Sequence, residues 1–361
     1  MAGYPAQTPG LVLAHAGSGV ETGNTEVLDR CAREDAENSI LAPKATRSSG
    51  AGNRSRPEPA DELRTCFERD RDRILHSNSF RRLAGKTQVF IFPADHQRTR
   101  LTHALEVAQV AVAIARACKL NVVLTEAIAL GHDCGHGPGG HASEDALSPY
   151  LDGEFDHAVW GADVVLANLN LCAETLDGIR NHSWSRPAPS TPEGEVVGIA
   201  DRIAYCAHDL EDAMSAGIVT GDDIPEIVAS RCGRTRSRQL RAFIKDVVET
   251  TNKYGVVGLS TPIAEALGAL RRFNYENIYL RSSSVRQGES VIALLSALVE
   301  HYSFHPKDLP ESDGLLAGDK PTIQRAVAYV GGMTDQFACR QAMWLLDWPA
   351  DQLPRGLSAR D

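Results

Sequence analysis

From residue 61 onward the chain is dominated by apolar positions at helical spacing, separated by short polar breaks. In ELRTCFERDRDRILHSNSFRRLAGK the apolar Leu63, Phe67, Ile74, Phe80 and Leu83 fall among Arg64, Arg69, Arg71, Arg73, Arg81, Arg82 and Lys86, which predicts amphipathic helices with a basic face. Further on, Leu101, Leu105, Ala108, Val112 and Ala115 recur at helical spacing, with His103, Val107, Val110 and Ile114 on an adjacent stripe. A helix apolar nearly all round is a buried one, so His103 at its start enters the interior and needs a partner there. Residues 122–130 predict a second buried helix that closes on Gly131, His132 and Asp133, and Ser143, Glu144 and Asp145 open another.

The helix read from Asp201 has Ile199, Ile203, Cys206, Leu210 and Met214 on its apolar face, while Asp201, Tyr205, Asp209 and Asp212 form one polar stripe. A solvated surface helix would show the same stripe. A tyrosine in line with aspartates also suits a pocket wall. Residues 260–346 read as helices around a Pro- and Asp-rich loop near 306–321, and GGMTDQF at 331–337 is a turn into a helix capped by Thr334 or Asp335. TQVFIFP at 87–93 is β-branched and aromatic, suiting a short strand or hairpin. The fold class is therefore all-α with at most a short hairpin.

Residues 1–60 are rich in Gly, Ser, Ala, Pro and Thr, with one short helix expected near 26–38. Such composition buries too little surface to offset ordering entropy, so this stretch is expected to be mostly a flexible arm. Its basic end, ATRSSGAGNRSRPEP, reads as a solvated linker or as a contact for something anionic. The expected division is an arm at 1–60, a core at 61–230, and a helical region at 231–361 that completes the fold and makes subunit contacts.

Composition narrows the class. The 361 residues are 43% hydrophobic and 23% charged, an ordinary globular balance. No apolar run approaches the ~18 residues of a membrane span, and the start lacks the basic and apolar regions of a secretory signal. The eight cysteines include no C-x-x-C pair, which suits scattered reduced thiols. The expected setting is cytoplasmic. A formal charge of −10 argues against general coating of nucleic acid, so any anion site must be a local basic cluster.

Five of the twelve histidines, His103, His132, His136, His141 and His157, lie between residues 98 and 157. His132 is followed by Asp133, and Asp201 supplies another carboxylate. Neutral imidazoles and carboxylates are the donors that a divalent hydrolytic metal takes, and ligands on packed helices can converge on one point. GKT at 85–87 is no phosphate loop, because position 80 is Phe80 and not glycine. Residues 135–140 satisfy G-x-G-x-x-G, but they follow a helical segment carrying His-Asp, out of context for a dinucleotide fingerprint. These glycines are expected to let the backbone turn so that His136 and His141 face the metal. The basic residues of 231–245 fit a solvated face, an anion contact or a subunit contact equally.

The ordered set His103, His132-Asp133, Asp201 resembles the metal signature of the HD superfamily of hydrolases. RDRILHSNSFRRLAGKTQVF, RTRLTHALEVAQVA, GHDCGHGPGGHASE, ADRIAYCAHDLEDA and GGMTDQFA resemble, in order, the deoxynucleoside triphosphate triphosphohydrolases of the bacterial dGTPase-like branch. The resemblance spans roughly residues 42–345 and implies an HD-domain helical bundle that splits a dNTP into deoxynucleoside and inorganic triphosphate. It implies His103, His132, Asp133 and Asp201 as ligands of a divalent metal, Mg²⁺ or Mn²⁺, and places His136, His141, Glu144 and His157 around the phosphates. Arg100 resembles a phosphate contact, and Tyr205 and Asp209 resemble the wall that reads the sugar. The partners it implies are a dNTP substrate and further copies of the chain, with a dNTP activator and single-stranded DNA as others to test. The family usually has Pro and Phe where this chain has Gly137 and Gly139, so a floppier loop is expected. Two alternatives stand beside this reading: another HD phosphohydrolase, acting on nucleoside monophosphates or alarmones, and a non-catalytic nucleotide or single-strand DNA binder.

Overall fold

The structure, a computed structural model, describes residues 3–23, 26–90 and 97–354. Residues 91–93 of the expected hairpin lie outside that set. Within it, Thr87 forms a single antiparallel bridge with Thr99. The only sheet among the described residues pairs β1 (Tyr4–Pro5) with β2 (Val12–Leu13), in a stretch where no strand was expected. Everything else regular is helical.

Helix α1 (Arg30–Ile40) starts on Asp29, whose carboxylate accepts from the Ala32 N–H. Helix α2 (Cys66–His76) begins with a capping box between Thr65 and Glu68, and α3 (Asn78–Arg82) follows directly. The first core is built on α4 (Arg100–Ala117) and α5 (Val122–Gly131). Two short helices, α6 (Ala142–Leu147) and α7 (His157–Trp160), lead to α8 (Ala173–Arg180) and the long α9 (Pro192–Ser215). Helices α10 (Glu226–Cys232), α11 (Arg236–Tyr254) and α12 (Thr261–Asn274) close over α9. The chain then continues as α13 (Ser282–Phe304), α14 (Lys320–Gly331) and α15 (Asp335–Leu346). Among the described residues no helix is long and apolar enough to cross a membrane.

Helix α9 starts well before Asp201. Thr191 caps it and Pro192 occupies its first position, a standard opening pair. Gly194 and Gly198 dilute the apolar periodicity there. Gly198 has a packing reason: a Cβ would stand 2.7 Å from the His182 carbonyl oxygen, so only glycine lets that segment lie against α9.

Apolar packing divides into two cores. The first gathers Ile74, Ile114, Leu124, Ile128, Ile179 and Ile203, among others, from α2, α4, α5, α8 and α9. The second gathers Leu147 of α6 with Leu295, Leu298, Val327, Val330 and Ala338 of α13–α15. Each fully buried aliphatic side chain contributes roughly 1.5–3 kcal/mol.

Residues 45–59, expected as a solvated linker or an anion contact, are fastened to the first core. Arg54 is buried: its Nη1 donates to Asp70 Oδ1 at 2.6 Å and to the Asn170 carbonyl, and Nη2 donates to the Cys66 carbonyl at 2.8 Å. The other Asp70 oxygen accepts from Cys172 N and Thr175 Oγ1. A buried ion pair with its remaining groups hydrogen-bonded is the arrangement that offsets desolvation. Composition misjudged this stretch because it is fastened by polar contacts, with little apolar surface of its own.

Candidate active site

Four donor groups converge where α4, α5 and α9 meet. His103 Nε2 stands 3.0 Å from Asp201 Oδ1 and 3.9 Å from Asp133 Oδ2, and His132 Nε2 stands 3.4 Å from Asp133 Oδ1 and 3.8 Å from Asp201 Oδ1. Ligand atoms at about 2.0–2.2 Å from a common ion would be about 3–3.6 Å from one another; His103, His132 and Asp133 form one group close enough to hold a cation, and Asp201 joins His132 and His182 in an adjoining one. His132 Nδ1 donates to the Ala129 carbonyl at 2.6 Å, which leaves its Nε2 lone pair free. That nitrogen is buried without a hydrogen-bond partner, as expected of a metal ligand oriented by a backbone contact. Arg100 is also buried, and its Nη1 donates to Asp133 Oδ2 at 2.8 Å. Burial alone would raise the Asp133 carboxyl, but Arg100, His132 and His136 hold it well below its ordinary range. The Arg100 guanidinium thus fixes the Asp133 carboxylate at the edge of the cavity.

The histidine loop follows. His136 Nε2 lies 3.3 Å from Asp133 Oδ1, and its ring stacks on His157 at 3.7 Å between centroids. Burial, then Arg100 and His157, push His136 well below the usual imidazole range. Glu144 joins two histidines: Oε1 accepts from His157 Nδ1 at 2.6 Å and Oε2 from His141 Nδ1 at 3.1 Å. These bonds overcome desolvation and depress the Glu144 carboxyl. His141 is largely exposed, yet it lines the same cavity as His103, Asp133 and Asp201, with its ring centroid 5.0 Å from that of His136. His157 Nε2 lies 3.3 Å from His182 Nε2, while His182 Nδ1 donates to the Ile179 carbonyl at 2.7 Å. His157 thus bridges Glu144 and His182 through its two ring nitrogens.

The cavity, about 280 Å³, is lined by Arg100, His103, Asp133, His136, His141, His157, Asp201, Tyr205 and Asp209. His132 and Glu144 stand directly behind this lining. Along α9, Tyr205 and Asp209 follow Asp201 at one and two turns, about 6 Å per step. Asp209 is not a free acceptor. Its Oδ1 takes a hydrogen bond from Arg98 and its Oδ2 takes one from the Tyr279 hydroxyl. Arg98 is buried and binds Glu106 and Asp212 as well, so the polar stripe on α9 is largely an internal clasp.

Comparison with known proteins agrees with this geometry. The HD domain family matches residues 100–206, and the phosphohydrolase-associated domain matches residues 257–343. A deoxyguanosinetriphosphate triphosphohydrolase-like protein of Caldanaerobacter subterraneus is 43% identical, over 84% of this chain and 92% of its own. A protein of the same description from Clostridium perfringens is 40% identical, over 85% of this chain and 94% of its own. The chain belongs to the deoxyguanosinetriphosphate triphosphohydrolase-like family. A solved phosphohydrolase of Bacteroides thetaiotaomicron overlaps at a TM-score of 0.46 and 16% identity, covering 75% of this chain and 67% of that one, a likeness too slight to bear on function.

Both matched regions of this family member contribute to the cavity. Arg202 and His182 belong to the HD domain, whereas Arg271, Tyr275 and Tyr279 come from the associated domain, and Gln88 precedes both. Sequence reasoning assigned none of the six to the site. Arg202 was legible as the neighbour of Asp201, and its guanidinium lies 3.5 Å over the Trp184 ring. His182 offered only a lone histidine in NHSW, and the tyrosines only an aromatic helix end.

Proposed function

We propose that this HD-domain phosphohydrolase family member hydrolyses deoxynucleoside triphosphates to deoxynucleoside and inorganic triphosphate. The observation that carries the reading is one cavity in which three groups meet: a four-donor metal set, a His-Glu-His relay beside it, and a tyrosine-lined wall one to two turns along α9. The names of the relatives support the same reading. A bound Mg²⁺ or Mn²⁺, held by His103, His132, Asp133 and Asp201, would polarise an α-phosphate oxygen and lower the pKa of bound water.

The chain's own residues supply the rest. Arg202 and Arg271 face the cavity and offset the charge of the polyphosphate. His157, held by Glu144 and stacked on His136, is the proton donor to the departing 5′-oxygen, with His141 as the second candidate at the mouth. The Tyr205 ring packs against C2′ and leaves no room for a 2′-hydroxyl. Asp209 acts on the sugar through Tyr279, whose hydroxyl it fixes. The test is incubation with each dNTP and Mn²⁺, with separation of products. Deoxynucleoside and triphosphate are expected; dGMP and pyrophosphate from dGTP would move the protein to another class of hydrolase.

A further inference from the structure

The GGMTDQF turn is remote from every residue assigned above, yet it reaches the histidine loop. Thr334 caps α15, accepting from Phe337 N at 3.3 Å, which leaves the Asp335 carboxylate to other partners. Asp335 is buried, 6% exposed. Its Oδ2 accepts from Thr87 N at 3.0 Å and from Thr87 Oγ1 at 2.5 Å, and its Oδ1 accepts from Gly139 N at 2.9 Å, across 196 residues of chain. We propose that Asp335, seconded by Lys86, is a positioning residue for catalysis. It locks residues 136–141 against residues 86–88 and so sets where His136, His141 and Gln88 stand in the cavity.

Lys86 forms a parallel strut between the same segments. It is buried, and Nζ donates to the His136 carbonyl and to the Gly331 carbonyl, the latter at 3.0 Å. Burial pushes its ammonium down to about 8, with Asp335 opposing the shift. The loop itself is shaped for this grip. Gly139 has φ +72°, and a Cβ there would stand 2.5 Å from Val291 Cγ1 on α13. In this backbone conformation a side chain at 139 would be strained and would crowd Val291, so glycine suits the position from which the N–H meets Asp335. Nearer the start of the loop, Gly137 N donates to Ser143 Oγ at 3.1 Å. The expected floppiness of the glycine loop is thus opposed at two backbone N–H groups. On the other side of the clamp, Arg100 N donates to the Lys86 carbonyl at 3.2 Å, so the segment Asp335 grips also abuts the first residue of α4. Removing the carboxylate leaves the buried N–H of Thr87 and the part-buried N–H of Gly139 without their acceptors, while the apolar contacts among α13, α14 and α15 remain.

The test uses the full chain with Asp335→Ala and Asp335→Asn and three readouts: kcat and KM for dGTP with Mn²⁺, Mn²⁺ affinity alone, and hydrogen exchange by segment. Asp335→Ala should lower kcat by roughly 30- to 100-fold, the scale of a 1 Å misplacement, with KM changed less than about threefold. Exchange should accelerate in 86–88 and 136–141 and stay as in wild type in α4 and α9, with Mn²⁺ affinity unchanged. Asp335→Asn keeps one acceptor and should recover part of the loss. If Asp335→Ala fails to fold, Asp335→Asn and Lys86→Met carry the same readouts with smaller effects. Wild-type kcat in a folded variant, or exchange that rises evenly through α13–α15 with no excess in 136–141, would overturn the proposal. The kinetic readout rests on the triphosphohydrolase reading. If wild type itself leaves dGTP intact, that reading fails, while the exchange pattern still decides the clamp.

Discussion

The two cores of this protein differ in what they bury. The first surrounds polar and charged groups: Arg100, His103, His132, Asp133, His136 and Asp209 are all nearly inaccessible, and each has a side-chain polar atom within 3.4 Å of another of the six or of Asp201, Arg98 or Tyr279. The second is mainly apolar, with Leu147, Leu294, Leu295, Leu298, Val327 and Val330 packed with Phe155 and Tyr302. The proposed metal donors stand on the first core. His141 and Glu144, by contrast, sit at the start of α6, whose Ala146 and Leu147 belong to the second. In the proposed reading, metal chemistry and proton delivery are therefore mounted on separate supports that meet at residues 136–144. A largely apolar support fixes α6 with few buried charges, Asp335 being one, whereas the charged support must keep its groups paired to stay folded.

The sharpest way to break this comparison is at the metal. His132→Ala should abolish metal binding and reduce turnover by roughly a thousandfold or more, with the second core intact by circular dichroism and hydrogen exchange. Asp133→Ala is a harsher change, because it also strands the buried Arg100 guanidinium, at a cost of about 3–5 kcal/mol. A His132→Ala protein that still binds one Mn²⁺ per chain at wild-type affinity would displace the assigned ligand set. Next is the other support. Glu144→Gln should lower kcat by about 10²–10³-fold through loss of the oriented histidines, while Mn²⁺ stoichiometry stays at the wild-type value. Loss of the metal in that variant would show the two supports to be one site.

A smaller effect is expected on sugar selection. Tyr205→Ala should reduce the preference for dGTP over GTP, read as the ratio of kcat/KM, by up to about 100-fold. An unchanged ratio would place the sugar away from α9. Smallest is a difference in acid sensitivity. His208, in the first core, is pushed down to about 4 by burial, despite its bond to the Ala204 carbonyl, with Arg98 and Arg236 adding to the depression. Its folded value lies below the unfolded value of about 6.5. The unfolded state thus takes up the proton first, and stability is full above about pH 6.5 and declines as pH falls toward 4. His208→Gln should flatten that slope by at most about 3 kcal/mol across the window, measured by denaturant titration. An unaltered slope would assign acid sensitivity to other groups.

Legibility in the sequence followed the range of the forces involved. Helix α4 could be read because burial on all faces leaves a local apolar pattern, and His132-Asp133 because both donors sit at one helix end. The stripe on α9 was visible as spacing, but not that Arg98 and Tyr279 occupy Asp209, since periodicity says which face is polar and nothing about what meets it. Arg54 against Asp70, and Asp335 against Gly139, are single polar contacts over long stretches of chain and leave no periodic trace. His182 was hidden for the same reason: its place beside His132 depends on α8 ending where Gly198 lets the chain approach α9.

The most direct measurement of the central claim is hydrolysis of dGTP with Mn²⁺ in ¹⁸O-labelled water, followed by mass spectrometry of both products. Attack on the α-phosphorus by a water at the His103–His132–Asp133–Asp201 set, with the proton delivered to the 5′-oxygen from the Glu144 relay, puts the label in triphosphate and leaves deoxyguanosine unlabelled. Label in the 5′-hydroxyl of deoxyguanosine, or products containing dGMP, would contradict it.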